Sequence, residues 1–168
     1  VRLINGLLPS MVEHKSGQII NISSIGCLVN APRFAAYVAS KSALDAFSRS
    51  LSSEVKQDNV SISTIYMPLV RTPMIAPTKI YNYAPTWSVD KASSLVVDAA
   101  MNKTKRIKTF LGQTMEMSYA VAPKLNDSLL ARGFQLFPSS AKARGKQDEK
   151  APSGETMALA YLLRGTHL

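Results

Sequence analysis

The apolar positions of Val1 to Met11 recur as on one face of an amphipathic helix running to about His14, and Lys15-Ser16-Gly17 supplies the polar stop common at helix carboxyl ends. The next run, Gln18-Ile19-Ile20-Asn21-Ile22-Ser23-Ser24, is β-branched and too short for a helix, which suits a buried parallel strand. Gly26, Asn30 and Pro32 make a loop of Ile25 to Arg33. From about Phe34 to Gln57, Leu44, Phe47, Leu51 and Val55 fall three and four apart, predicting a long helix with that stripe in the core. Asp58-Asn59 breaks it. Val60 to Met67 alternates and is β-branched, a second strand ended by Pro68.

Leu69 to Thr86 contains Pro73, Pro77, Pro85 and several aromatics, which predicts an irregular loop long enough to be functional. Ser88 is the expected N-cap of a helix over Val89 to Met101. Lys105 to Leu111 reads as a third strand ended by Gly112, and Gln113 to Phe137 as helix interrupted near Pro123 and Gly133. This alternation is that of an α/β domain, a parallel sheet covered by helices. Residues 1–137 form that body. Pro138 to Gly154, rich in Ser, Lys, Gly and Pro, reads as a flexible basic linker, and residues 155–168 as a short apolar helix docking on the parent protein. The chain opens on Val1, inside a helical stretch, and so reads as a fragment.

Composition adds bounds. With 168 residues and 46% hydrophobic content the chain can bury one ordinary core. It has neither a signal-peptide pattern nor an apolar run of about 18 residues, and a cytoplasmic location with peripheral membrane contact as an option fits. The lone Cys27 cannot form an internal disulfide and reads as a small buried or loop thiol. A net charge of +9 raises nucleic acid as a partner, but Lys103, Lys105, Arg106 and Lys108 form one short cluster. Lys142, Arg144, Lys146 and Lys150 share a polar tail with Asp148 and Glu149. Nucleic acid is therefore not expected. The plain alternative is a solvated surface, and the sharper one is attraction to an anionic membrane or to coenzyme A phosphates.

Ligands of such sheets bind beyond the carboxyl ends of the strands, where Ser24 and Pro68 both lie. Tyr37 and Lys41, at i and i+4, share one helix face above the same cleft. A phenol of ordinary pKa near 10 is moved toward neutrality by a neighbouring ammonium. Tyr37 can then give a proton to a carbonyl oxygen as hydride arrives, while Ser24 holds that oxygen. Singly these residues say little, since a Tyr–Lys pair is usually on the surface and a strand-end serine is usually a cap.

Together they say more. Asn21-Ile22-Ser23-Ser24-Ile25-Gly26, followed thirteen residues after Ser24 by Tyr37-Val38-Ala39-Ser40-Lys41, resembles the active-site signature of the short-chain dehydrogenase/reductase family. The resemblance implies the carboxyl-terminal half of a Rossmann-like doubly wound parallel sheet, about three strands with flanking helices, its amino-terminal half missing. It implies that Ser24 orients the substrate carbonyl, that Tyr37 is the acid/base, and that Lys41 binds the nicotinamide ribose and lowers the tyrosine pKa. Ser23 competes for the serine role, but the family spacing selects Ser24 and strand alternation turns the two apart. Where the family has Pro-Gly and then a threonine, this chain has Met67-Pro68-Leu69-Val70-Arg71-Thr72. Val70 and Thr72 keep their places as cofactor contacts, with Pro68 a neighbour standing where glycine is expected. The glycine-rich phosphate turn has no counterpart here, and Asn5, a surface helix residue by its place, does not match the family's active-site asparagine.

Asn30 to Phe34, the run MPLVRTPMIAPT from Met67 to Thr78, and Leu162-Leu163-Arg164-Gly165 resemble the reductase module of bacterial fatty acyl-coenzyme A reductases. That resemblance implies NADPH, with NADH left open, and reduction of a long-chain acyl-CoA or fatty aldehyde. Met74, Ile75, Ile80, Tyr81, Tyr83 and Trp87 offer apolar surface to an acyl chain, equally to a steroid, or simply pack their loop; Arg71 and Lys79 meet coenzyme A phosphates or solvent. Two alternatives stand beside it. One is a reductase of the same family for a ketone, 3-oxoacyl thioester or steroid. The other is a non-enzymatic module whose long helix pairs with a second subunit, the homo-oligomer contact that the family implies. The isolated chain is expected to have little activity.

Overall fold

The computed structural model describes residues 1–32, 34–76, 81 and 84–136. Helix α1 spans Arg2–Glu13, and the chain turns through Lys15, at φ 48°, into strand β1, Gly17–Ser24. A Cβ at Gly17 would fall 2.7 Å from the Met11 side chain, so glycine is what lets the helix close onto the strand. The expected loop from Ile25 contains one helical turn, α2 (Gly26–Val29), closed by Asn30 at φ 50°. Helix α3, Ala35–Glu54, ends earlier than the predicted Gln57. A 3-10 turn over Lys56–Asp58 and left-handed Asn59 finish the reversal.

Strand β2, Val60–Met67, lies parallel to β1 in a register running from Gly17 opposite Val60 to Ser24 opposite Met67. Helix α4, Val89–Asn102, starts as predicted, with Ser88 Oγ accepting from the Lys91 amide at 3.2 Å. The third strand differs from expectation. Only Arg106–Ile107 pairs, as β3 against Thr64 and Ile65, because Thr109 caps a helix that begins at Phe110. Gly112, predicted to end the strand, lies inside that helix, α5 (Phe110–Val121), where a Cβ would sit 2.9 Å from Leu28 Cδ1. Helix α6, Pro123–Leu136, follows at Ala122, and Gly133 does not interrupt it. The predicted linker and terminal helix, together with Lys79, Ile80 and Tyr83, lie outside the described residues.

The sheet order is β1-β2-β3, with helices on both faces. Val60 and Ile62 of β2 point one way and pack with Ile4, Leu51 and Val55 of the α1–α3 layer; Ile65 points the other way and packs with Ala99 of α4 and Ile107. Leu51 and Val55 of the predicted α3 stripe are thus in the core with Phe47 packed against them, while Leu44 is part-buried outside that cluster. On the α4 face, Ser61 Oγ and Ser63 Oγ are buried without a hydrogen-bond partner. An unsatisfied hydroxyl costs about 1–3 kcal/mol, so Ser63→Ala is expected to raise the unfolding free energy of the complete protein by about 1 kcal/mol in guanidinium titration. A loss of stability would mean that the hydroxyl is satisfied. Among the described residues, no helix is long and apolar enough to cross a membrane.

Candidate active site

Ser24 is the last residue of β1, and its Oγ accepts from the Gly26 amide at 3.1 Å. Ser23 points into the protein, 3% exposed, with its Oγ 3.6 Å from Cys27 Sγ and 3.5 Å from the Lys41 carbonyl oxygen. The alternation therefore turns the two serines to opposite faces of the strand, as its pattern requires. Cys27, on α2, is a partly buried free thiol.

Tyr37 lies in the first turn of α3 and is 46% exposed, its ring edge-on to Phe34 at 6.4 Å between centroids. One turn later the Lys41 ammonium donates to the Ile22 carbonyl at 3.0 Å. A point one Cβ out from Gly26 lies 3.3 Å from Ser24 Oγ and 3.8 Å from Tyr37 Cε1, so serine hydroxyl and tyrosine ring flank the same small space. A helix start, a strand end and a glycine without a side chain thus bring Ser24 and Tyr37 together, with Lys41 beside the same strand. Among the described residues, none of the three hydrogen-bonds directly to another.

Beyond Met67 the chain passes Pro68 to a parallel bridge between Val70 and Trp87, in which Trp87 donates to the Leu69 carbonyl and Arg71 donates to the Trp87 carbonyl, each at 2.9 Å. This pairing uses the groups of Leu69 and Arg71 and turns Val70's own N–H and C=O to the opposite side. Thr72 Oγ1 is buried and has no hydrogen-bond partner. A buried orphan hydroxyl two residues from an outward-turned peptide group fits a ligand carrying both an amide donor and an acceptor, as a nicotinamide carboxamide does. Arg71 binds Thr86 Oγ1 through two nitrogens at 3.0 and 3.3 Å, and Met74 is 84% exposed.

One cluster of charge escapes the sequence pattern. Asp45, 8% exposed on α3, accepts a hydrogen bond from the Tyr66 hydroxyl and another from Arg49 Nε at 3.2 Å. Arg106 Nε donates to the Tyr66 hydroxyl at 2.8 Å, Arg106 Nη2 to Glu116 at 3.0 Å, and Lys108 to the other oxygen of Glu116. Arg106 and Lys108 are thus engaged with carboxylates, which corrects their reading as part of a solvated basic cluster. Asp45, Arg49, Tyr66, Arg106 and Glu116, with Cys27, Asn30, Ser42 and Tyr119, line a cleft of about 280 Å³ among α2, α3 and α5. Burial, then the bond to Asp45, raises the Tyr66 pKa well above the ordinary phenol range, with Arg106 opposing.

Burial alone would raise the Glu116 pKa, but the hydrogen bonds from Lys108 and Arg106, with their charges, outweigh it and hold the carboxyl below its ordinary value. A carboxyl depressed in the folded state stabilises above its unfolded pKa of about 4.5 and loses that contribution as pH falls through the folded value. Glu116→Gln is therefore expected to destabilise the complete protein at pH 7 and to narrow its gap from wild type at acid pH. A gap independent of pH in thermal melts from pH 7 to 3 would remove the ionised pair.

The family described as short chain dehydrogenase matches residues 1–80, which hold the Ser24, Tyr37 and Lys41 signature. A fatty acyl-CoA reductase of Acinetobacter baylyi is 60% identical over 149 residues, 89% of this chain and 50% of that protein. A fatty acyl-CoA reductase of Mycobacterium tuberculosis is 39% identical over 140 residues, 82% of this chain and 48% of that protein. The fold is shared with the crystal structure of a short chain dehydrogenase from Burkholderia cenocepacia in complex with NADP, at a TM-score of 0.62 and 21% identity, over 81% of this chain and 54% of that chain. The chain spans about half the length of these curated relatives. Signature, sheet order and matched sequence agree, and the chain belongs to the short-chain dehydrogenase/reductase family, of whose domain it carries the carboxyl-terminal half.

Proposed function

We propose that the complete protein containing this chain is an NADPH-dependent reductase of a long-chain fatty acyl-CoA or fatty aldehyde. The observation that carries the chemistry is the approach of the Ser24 hydroxyl and the Tyr37 ring to one space beside Gly26, with Lys41 one turn further along the same helix. In this reading Ser24 Oγ donates to the substrate carbonyl oxygen and Tyr37 delivers a proton to that oxygen as it gains charge. The Thr72 hydroxyl and the Val70 peptide group, next to Pro68, would hold the carboxamide of the cofactor, and Lys41 its ribose hydroxyls. Bound there, a nicotinamide cofactor supplies the hydride. The choice of acyl substrate is supported by the 60% identity to the Acinetobacter baylyi reductase and by the exposed Met74 and part-buried Ile75, Tyr81 and Trp87 of the loop after β2.

The same reading includes pairing with a second copy through α3, whose exposed Ala36, Ala39, Ala43 and Ala46 permit close helix approach. The test is NADPH consumption by the complete protein offered a long-chain acyl-CoA, a fatty aldehyde and a steroid ketone. Turnover of the acyl-CoA or the aldehyde is expected. Turnover of the steroid alone would select a different reductase of the family, and turnover of none would reject this reading in favour of a 3-oxoacyl reductase or a non-enzymatic module.

A further inference from the structure

Asp45 stands four residues after Lys41 and eight after Tyr37, so all three share one stripe of α3, with Asp45 about 6 Å further along the axis than Lys41. Its partner Tyr66 is opposite Ser23 in the sheet, the residue before Ser24. A closed circuit results: from Ser24 to Ser23, across the sheet to Tyr66, through the phenol to Asp45, and back along the helix to Lys41 and Tyr37. A guanidinium can only donate, so Arg106 occupies the Tyr66 oxygen and directs the tyrosine proton to Asp45. Arg106 is itself anchored on Glu116 of α5.

The bonds from Lys41 to the Ile22 carbonyl and from Asn21 to Ser48 Oγ, at 3.0 and 2.8 Å, tie α3 only to β1 and involve no ion pair. The apolar contact of α3 with the sheet, through Leu51, Val55, Val60 and Ile62, is non-directional and tolerates small sliding or rotation of the helix. A buried carboxylate with fixed partners does not. We infer that Asp45 is a positioning residue: its bond to Tyr66 sets the axial register and rotation of α3, and through them the placing of Tyr37 and Lys41 against Ser24. The catalytic consequence rests on the reductase reading above; the mechanical claim does not.

The test uses Asp45→Ala, Asp45→Asn and Tyr66→Phe in the complete protein, read by amide hydrogen exchange across residues 35–54 and by kcat and KM for the acyl substrate. Asparagine keeps an oxygen that accepts from Tyr66; alanine does not. Asp45→Ala and Tyr66→Phe are expected to speed exchange in the turns holding Tyr37 and Lys41 by about tenfold. They should lower kcat by about ten- to a hundredfold while KM stays within about twofold, because a small misplacement near the reacting atoms acts mainly on the chemical step. Asp45→Asn should stay within about threefold of wild type in both readouts. Wild-type exchange in the alanine and phenylalanine variants, or an asparagine variant as impaired as alanine, would overturn the inference. Should the alanine variant fail to fold, the contrast between Asp45→Asn and Tyr66→Phe decides it. Should wild type reduce none of the substrates, the reductase reading fails alone, and the exchange result still decides whether Asp45 positions the helix.

Discussion

Phenylalanine in place of Tyr37 is expected to lower kcat of the complete protein for its carbonyl substrate by about three orders of magnitude, within the range assigned to a positioned general acid. The fold should not notice. Tyr37 is 46% exposed, and its contact with Phe34 is made by the ring, which phenylalanine retains. What disappears is the hydroxyl, which in the proposed reaction gives its proton to the oxygen held at Ser24. Single-turnover NADPH oxidation, paired with a thermal melt, separates the two effects. A normal melt with wild-type turnover would remove Tyr37 from the chemistry, whereas a lowered melt would assign the loss to folding.

The second large effect concerns stability. Ile65 is fully buried at the centre of the sheet, between Ala99 of α4 and Ile107 of β3, with Leu95, Val96 and Met67 around it. Ile65→Ala removes buried methyl groups and leaves a cavity that helix and sheet close only in part, a change worth about 2–5 kcal/mol. Against a usual total of about 5–15 kcal/mol this is a large share of the stability of a domain. Guanidinium unfolding of the complete protein should show a midpoint shift with little change in slope. A cost below about 1 kcal/mol would mean that α4 moves in to fill the space.

Where periodicity and local chemistry agree, the sequence was a good guide to the fold. β2 has the predicted bounds, α4 starts at its Ser88 cap, and β1 and α1 are within a residue or two. The misses share a cause in distant contacts. Helix α2 is a single turn packed against α5, and no four-residue window carries that information. The segment from Lys105 to Leu111 reads as a strand, yet it has a partner only at Arg106–Ile107 before Thr109 caps a helix. Gly112 carried a turn signal, but the requirement for glycine comes from Leu28, far away in the chain. Asp45 illustrates the limit in the site. Four residues from Lys41 and four from Arg49, it resembles a surface ion-pair residue, and only the phenol of Tyr66 from another element makes it a buried acceptor. Ser24, Tyr37 and Lys41 stand out in the sequence because a fixed spacing marks them; Asp45 has no such mark.

The register of β1 on β2 also bears on how the site is inherited through folding. Ser24, Tyr37 and Lys41 all fall between Gly17 and Met67, inside one strand-helix-strand crossover whose two strands pair along their whole length. Groups that must meet in the proposed reaction therefore belong to one cooperative unit, of the kind that opens and closes as a block. Their mutual geometry is written in a single stretch of chain. Opening of that block would disperse all three at once, while fraying of α6 at the far end of the described chain would leave them assembled.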